Sequence, residues 1–244
     1  MSRFPAADSA PAARVSLSPA DFAASVRVWV FDLDNTLYPP TSPIFDQIDR
    51  RMTAYIARFL KVDPAAAFTV QKAYYRKYGT SLAGLMAEHG MEPEPFLAEV
   101  HAIDHSVIPP DPALAAAIRR LPGRAIVYTN GSAEHAAAVL ERLGLAGVFE
   151  GVFDIRAAGY VPKPQGVSYD RLIAAFGFDP AQAVLVEDSL KNLPPAAARG
   201  MKTVWLRNVR STAGADLHDP ADCDAVIEDL TAWLDAVLAA CGKG

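Results

Sequence analysis

Apolar residues fall into two rhythms along this chain. Short β-branched and aromatic runs with few charges cover residues 26–31, 125–128, 148–155, 183–186 and 203–206, as expected of strands buried on both faces of a parallel sheet. Between the later runs, apolar positions recur at helical spacing over 113–121, 133–143, 167–176 and 193–199. The first of these follows Pro112, and the others stop at Gly144, Gly177 and Gly200. This alternation predicts an α/β fold built on a doubly wound, Rossmann-like parallel sheet.

Residues 41–108 break the alternation, because no strand pattern occurs there. Ser42-Pro43 reads as a cap followed by a first-turn proline, and Ile44, Ile48, Met52, Tyr55, Ile56 and Phe59 then share one helical face. Asp63-Pro64 repeats the start signal, Gly79 and Gly90 mark breaks, and Pro93 opens a further short helix. The prediction is a helical-bundle cap over 41–108, inserted into a core made of 27–40 and 109–244. Residues 1–26, of which 16 are Ala, Pro or Ser, read as a weakly structured tail outside the fold.

Composition narrows the function classes. The chain is 51% hydrophobic and 21% charged with a net charge of −5, and its basic residues are scattered, so it carries no footprint for nucleic acid. No apolar run approaches the roughly 18 residues of a membrane span, and the N-terminal stretch lacks the apolar middle of a secretory signal. A cytoplasmic protein is expected. Cys223 and Cys241 have the spacing of neither a zinc site nor a disulfide framework and read as reduced thiols.

The candidate chemistry sits where runs end. Asp32 and Asp34 follow the first strand directly, at the carboxyl edge of the sheet where α/β proteins form ligand sites. Glu187 and Asp188 follow the run 183–186 in the same way. Taken singly, each pair has an ordinary reading as an acidic turn or a helix cap. Together they would crowd several oxygens at one edge, an arrangement suited to Mg²⁺. Thr129 and Asn130 lie between a strand and a helix start, where backbone N–H groups bind anions. Lys163, between Pro162 and Pro164, could bring a fixed positive charge to a phosphate. His101 and His105 stand four apart without a third ligand cluster, which favours a hinge or pocket wall over a zinc site. Tyr74, Tyr75 and Tyr78 read as a packing stripe of the cap, with stacking on a base as the alternative.

These motifs, FDLDNTLY, YTNG, VPKPQ and VEDS in that order, resemble those of the haloacid dehalogenase superfamily of aspartate-nucleophile phosphohydrolases. FDLDNTLYPP, YYRKYGTSLAGLMAEHG and HAIDHSVIPPDPAL resemble, more narrowly, its pyrimidine 5′-nucleotidase subgroup. The fourth motif departs from the pattern of many relatives, with Glu187 in place of a glycine and Leu193 in place of a later Asp.

The resemblance implies a Mg²⁺-dependent phosphomonoesterase acting on a small phosphate monoester, a UMP- or CMP-type nucleoside monophosphate, as a monomer or homodimer. Asp32 is then the nucleophile and Asp34 the acid/base. Thr129, Asn130 and Lys163 hold the phosphoryl group, and Asp32, the Asp34 carbonyl, Asp188 and Glu187 hold the metal. Tyr38, Tyr78, Thr80 and Asn192 become candidate substrate contacts, with Asn192 also placed to orient Lys163 or a carboxylate. The alternatives are a related phosphatase for phosphoglycolate or a sugar phosphate, and a catalytically silent phosphate-binding regulator.

Overall fold

The computed structural model describes residues 16–208 and 223–242. Strands β1 (Val28–Phe31), β2 (Arg124–Tyr128), β3 (Gly151–Phe153), β4 (Ala183–Glu187), β5 (Lys202–Leu206) and β6 (Ala225–Ile227) form one parallel sheet in the order β3-β2-β1-β4-β5-β6. The chain runs outward from β1 through β2 and β3, then crosses back to lay β4 on the other side of β1. That reversal opens a crevice at the carboxyl ends of β1 and β4.

The period of two along each strand feeds two cores. Trp29, Phe31, Val184 and Val186 point to one face, where they meet Trp233, Leu234 and Val237. Val28, Val30, Ile126 and Leu185 point to the other, against Tyr169 and Leu172. Helices α1 (Pro19–Ser25), α6 (Pro112–Arg119), α7 (Ala133–Arg142) and α10 (Leu230–Cys241) contribute to the first face, and α8 (Gly166–Phe176) and α9 (Leu193–Ala197) to the second.

The insert is wholly helical, consisting of α2 (Ile44–Leu60), α3 (Pro64–Tyr78), α4 (Ser81–His89) and α5 (Pro93–Val100). It encloses its own small core of Ile56, Ala67, Leu82, Leu85, Phe96 and Leu97, which Ile155 joins from beyond β3. Asp63 caps α3 by accepting the N–H groups of Ala65 and Ala66, and Thr80 caps α4 by accepting that of Ala83. No helix among the described residues is long and apolar enough to cross a membrane.

Three elements differ from the sequence reading. The run 148–155 yields only the three-residue β3, and β6 was not foreseen. The expectation of a weakly structured tail is corrected over its last part, while residues 1–15 lie outside the described residues. Ser18 and Asp21 form a capping box for α1, and this helix buries Phe22 edge-on against Trp233, with ring centroids 5.2 Å apart. An Ala- and Ser-rich segment is thus held by one aromatic anchor. Phe22→Ala is expected to lower the unfolding free energy by about 3–5 kcal/mol in denaturant melts. A loss below about 1 kcal/mol would make α1 peripheral to the fold.

Candidate active site

Strand register assembles the site. Phe31 pairs with Val127 on one side and with Val186 on the other, so the next row across the sheet holds Tyr128, Asp32 and Glu187. The Asp32 N–H extends the ladder one step by donating to the Val186 carbonyl at 3.0 Å. Lys163 reaches into this row from the loop before α8. Its ammonium donates to Asp32 Oδ1 at 2.6 Å, Glu187 Oε2 at 2.7 Å and the Tyr128 carbonyl at 3.0 Å. Three N–H donors meet three acceptors, and the side chain is almost wholly buried. Burial alone would push the lysine down, but Asp32 and Glu187 outweigh it and hold Lys163 firmly charged.

The acidic side exceeds that one charge. Asp32, Glu187 and Asp188 are all buried and can bring one oxygen each within 4.8 Å of the others. Burial first, then Glu187, pushes the Asp32 carboxyl up to about 7 despite Lys163. Burial first, then Glu187 and Asp32, pushes the Asp188 carboxyl up as well, against Lys163. With all three carboxyls deprotonated, as a bound cation requires, they leave two negative charges against the one ammonium, which balances one divalent cation. The donors are all oxygen, so the residues fit Mg²⁺. The Asp34 side chain stands outside this acidic group.

Asp34 has partners of a different kind. Its Oδ1 accepts the Tyr38 O–H at 2.6 Å and lies 2.8 Å from His135 Nε2. Burial would raise this carboxyl, but His135 and the two bonds overcome it and hold the group down at about 2. Thr129, in the turn after β2, accepts the Gly131 N–H at 2.9 Å through Oγ1, which leaves its own hydrogen for a ligand. Asn130 clamps the lysine loop: its Oδ1 accepts the Lys163 N–H at 2.8 Å and its Nδ2 donates to the Lys163 carbonyl at 3.2 Å.

The sequence-predicted core residues Asp32, Asp34, Thr129, Asn130, Lys163, Glu187 and Asp188 therefore converge on one sheet edge. Two of the proposed substrate contacts have their hydroxyls engaged, Tyr38 by Asp34 and Tyr78 by Glu88 in a short contact, while Thr80 Oγ1 accepts the Ala83 N–H as a helix cap and keeps its own hydrogen. Asn192 donates nothing to Lys163 or a carboxylate; its carbonyl accepts the Tyr169 O–H, and its buried Oδ1 has no partner among the described residues. His101 and His105 join no metal cluster and instead pack on His135. Sequence reasoning passed over His135 itself. The available signal was a histidine three residues after Ser132, in the first turn of the helix that follows YTNG.

The insert reaches the loop of Lys163 through backbone. Gly79, at φ +89°, lies so close that a Cβ there would stand 2.8 Å from the Lys163 carbonyl oxygen. Lys191, three residues past Asp188, places its ammonium 3.7 Å from the Tyr75 ring centroid on α3.

Known proteins share this plan. The family model for haloacid dehalogenase-like hydrolases matches residues 26–200. Phosphate metabolism protein 8 of Saccharomyces cerevisiae is 23% identical over 193 residues, a match that spans 72% of this chain and 60% of that protein. Among solved structures, a HAD phosphatase from Thermococcus onnurineus superposes with a TM-score of 0.59 at 18% identity, covering 88% of this chain and 99% of its own. An L-2-haloacid dehalogenase from Xanthobacter autotrophicus superposes with a TM-score of 0.54 at 18% identity, covering 87% and 98%. At such identities these structures share the fold, and the fold serves both chemistries.

The raised Asp32 carboxyl gives the metal site a pH signature. Its folded pKa, near 7, lies above the usual carboxylate value of 3.8, so folding without metal takes up a proton, and stability falls as pH rises from about 4 through 7. A cation requires the same oxygens deprotonated. Added Mg²⁺ is therefore expected to raise the melting temperature more at pH 8 than at pH 5.5 in calorimetry. An equal rise at both values would remove Asp32 from the metal site.

Proposed function

Because the chain belongs to the haloacid dehalogenase-like hydrolases, we propose that it is a Mg²⁺-dependent phosphomonoesterase working through an aspartyl phosphate, with a pyrimidine nucleoside monophosphate such as UMP or CMP as substrate. It acts in the cytoplasm as a monomer or homodimer. The observation that carries the reading is the buried Asp32, held between Lys163 and an acidic group short of one divalent cation. The sequence likeness to pyrimidine 5′-nucleotidases supports the substrate, and the name of the yeast relative is in keeping with phosphate chemistry.

In this mechanism Asp32 attacks phosphorus in line, with Oδ1 fixed by Lys163 and Oδ2 by the Thr36 hydroxyl at 2.9 Å. The bond to the sugar oxygen breaks as the aspartyl phosphate forms, and Asp34 gives its proton to the departing oxygen. In the second half Asp34 takes a proton from the attacking water, the bond to Asp32 breaks, and phosphate leaves. Mg²⁺ held by Asp32, Glu187 and Asp188 would supply positive charge to offset the repulsion between the carboxylate and the phosphate. Lys163, with its donors committed to protein acceptors, offers the phosphate its charge rather than a spare N–H. The Thr129 hydroxyl is the donor left over.

The low resting value of Asp34 fits this cycle only if the ligand changes it. An arriving phosphate dianion is a like charge and raises the carboxyl toward the range in which it carries a proton. An alcohol leaving group needs that proton and a halide does not, so a placed Asp34 favours phosphatase over dehalogenase chemistry.

Asp32→Asn should reduce turnover by roughly 10³-fold or more. Retention within about tenfold of wild type would remove Asp32 as nucleophile. Thorough chelation should abolish activity, and Mg²⁺ should restore it. Phosphate release over UMP, CMP, dTMP, AMP, GMP, phosphoglycolate and sugar phosphates tests the substrate separately. Preference for the pyrimidine monophosphates is expected, and preference for any other member discards that assignment while leaving the mechanism in place.

A further inference from the structure

The two bonds to Asp34 converge on a single oxygen. With Oδ1 taken by Tyr38 and His135, Oδ2 is turned toward Gly131 and the Thr129 hydroxyl. A Cβ at Gly131 would lie 3.7 Å from Asp34 Oδ2, 3.2 Å from Thr129 Oγ1 and 3.3 Å from His135 Cδ2. A carboxylate held at one oxygen cannot turn about its last bond, so the other oxygen keeps one direction. An ionised carboxylate only accepts, so His135 Nε2 is the donor of its pair.

His135 is itself fixed from three directions. It sits in the first turn of α7, 1% exposed, with its backbone N–H donated to Ser132 Oγ at 3.3 Å. The His101 ring stacks on it at a centroid distance of 4.7 Å and an angle of 13°, and the Ser132 hydroxyl lies 3.0 Å from His101 Nδ1. His105 Nε2 lies 3.0 Å from His135 Nδ1. Burial and then His135 push His101 down to about 3, so the stacked ring is neutral. His101 and His105 both belong to the segment that returns the chain from the insert to the core, between α5 and α6. The ring that grips Asp34 is thus set against the segment that leads out of the insert.

We propose that His135 is a positioning residue for Asp34, and that the cap's return segment, through His101 and His105, acts on the acid/base step by holding His135 in place. This rests on the reading of Asp34 as the acid/base. It differs from a stabilising role for the histidines in one respect: loss of His135 should matter only where the leaving group needs a proton.

The test is single-turnover phosphoryl transfer from p-nitrophenyl, phenyl and benzyl phosphate, three compounds of similar size whose leaving groups need a proton increasingly in that order. His135→Phe keeps the ring volume and removes the N–H. It should slow benzyl phosphate by about 30-fold or more and p-nitrophenyl phosphate by less than about threefold, since misplacing a reacting group by about 1 Å costs up to 100-fold. His135→Gln, whose amide can donate from near the Nε2 position, should restore most of the benzyl rate. His105→Ala, at a partly exposed position, should show the same selective loss to a smaller degree, and it carries the test if His135→Phe does not fold. Equal slowing on all three compounds, or none, overturns the proposal. Asp34→Asn is the reference: if it lacks the leaving-group dependence, the acid/base reading falls and this proposal with it. If Asp34→Asn is selective while His135→Phe and His105→Ala are not, the proposal alone falls.

Discussion

Everything at the mouth of this sheet is arranged around one buried ammonium. Lys163 has spent its three hydrogens on Asp32, Glu187 and the Tyr128 carbonyl, and those acceptors come from three adjacent strand ends. A lysine so placed is tolerated only because two carboxylates face it, and the carboxylates are tolerated only because of the lysine. Neither half could be buried alone. The pair joins the central strands electrostatically where their backbone ladder ends, and it does so with charge left over for a cation.

That excess sets the character of the site. A closed ion pair would be inert, whereas an acidic group with two charges in surplus has a standing affinity for a divalent ion and, through that ion, for phosphate. Asp34 escapes the crowding because its neighbours are a phenol and an imidazole rather than more carboxylates. Two acids separated by one residue thus acquire opposite tendencies, Asp32 pushed up by burial and like charge and Asp34 held down by His135 and Tyr38.

The parts of this arrangement legible in sequence were those that announce themselves locally. Runs such as 183–186 are too apolar to be anything but buried strand, and acids directly after them must stand at the sheet edge. The helices of the insert were legible from the cap at Asp63, the first-turn proline Pro93 and the breaks at Gly79 and Gly90. The rest depended on partners distant in the chain. β6 is three residues long and becomes a strand only because β5 offers it an edge, and α1 is a helix in the fold because Trp233, two hundred residues on, receives Phe22. Tyr38 and His135 carry no pattern of their own. Their role arises from both meeting one oxygen of Asp34, and His135 does so across a separation of 101 residues. Thr80 read as a substrate contact because a hydroxyl near the mouth of a site invites that reading, and the structure adds that its oxygen caps the helix beginning at Ser81.

The insert meets the lysine loop through backbone, at Gly79, which packs on the Lys163 carbonyl, and at the Tyr78 carbonyl, which accepts from Gln165 Nε2. The seat demands a backbone shape and nothing more, so the side chains that surround it are under no obligation to the ammonium beneath. The insert's tie to Asp34 runs elsewhere, along the return segment and through His135. The helices above can exchange one set of side chains for another over generations and still land on the same carbonyl.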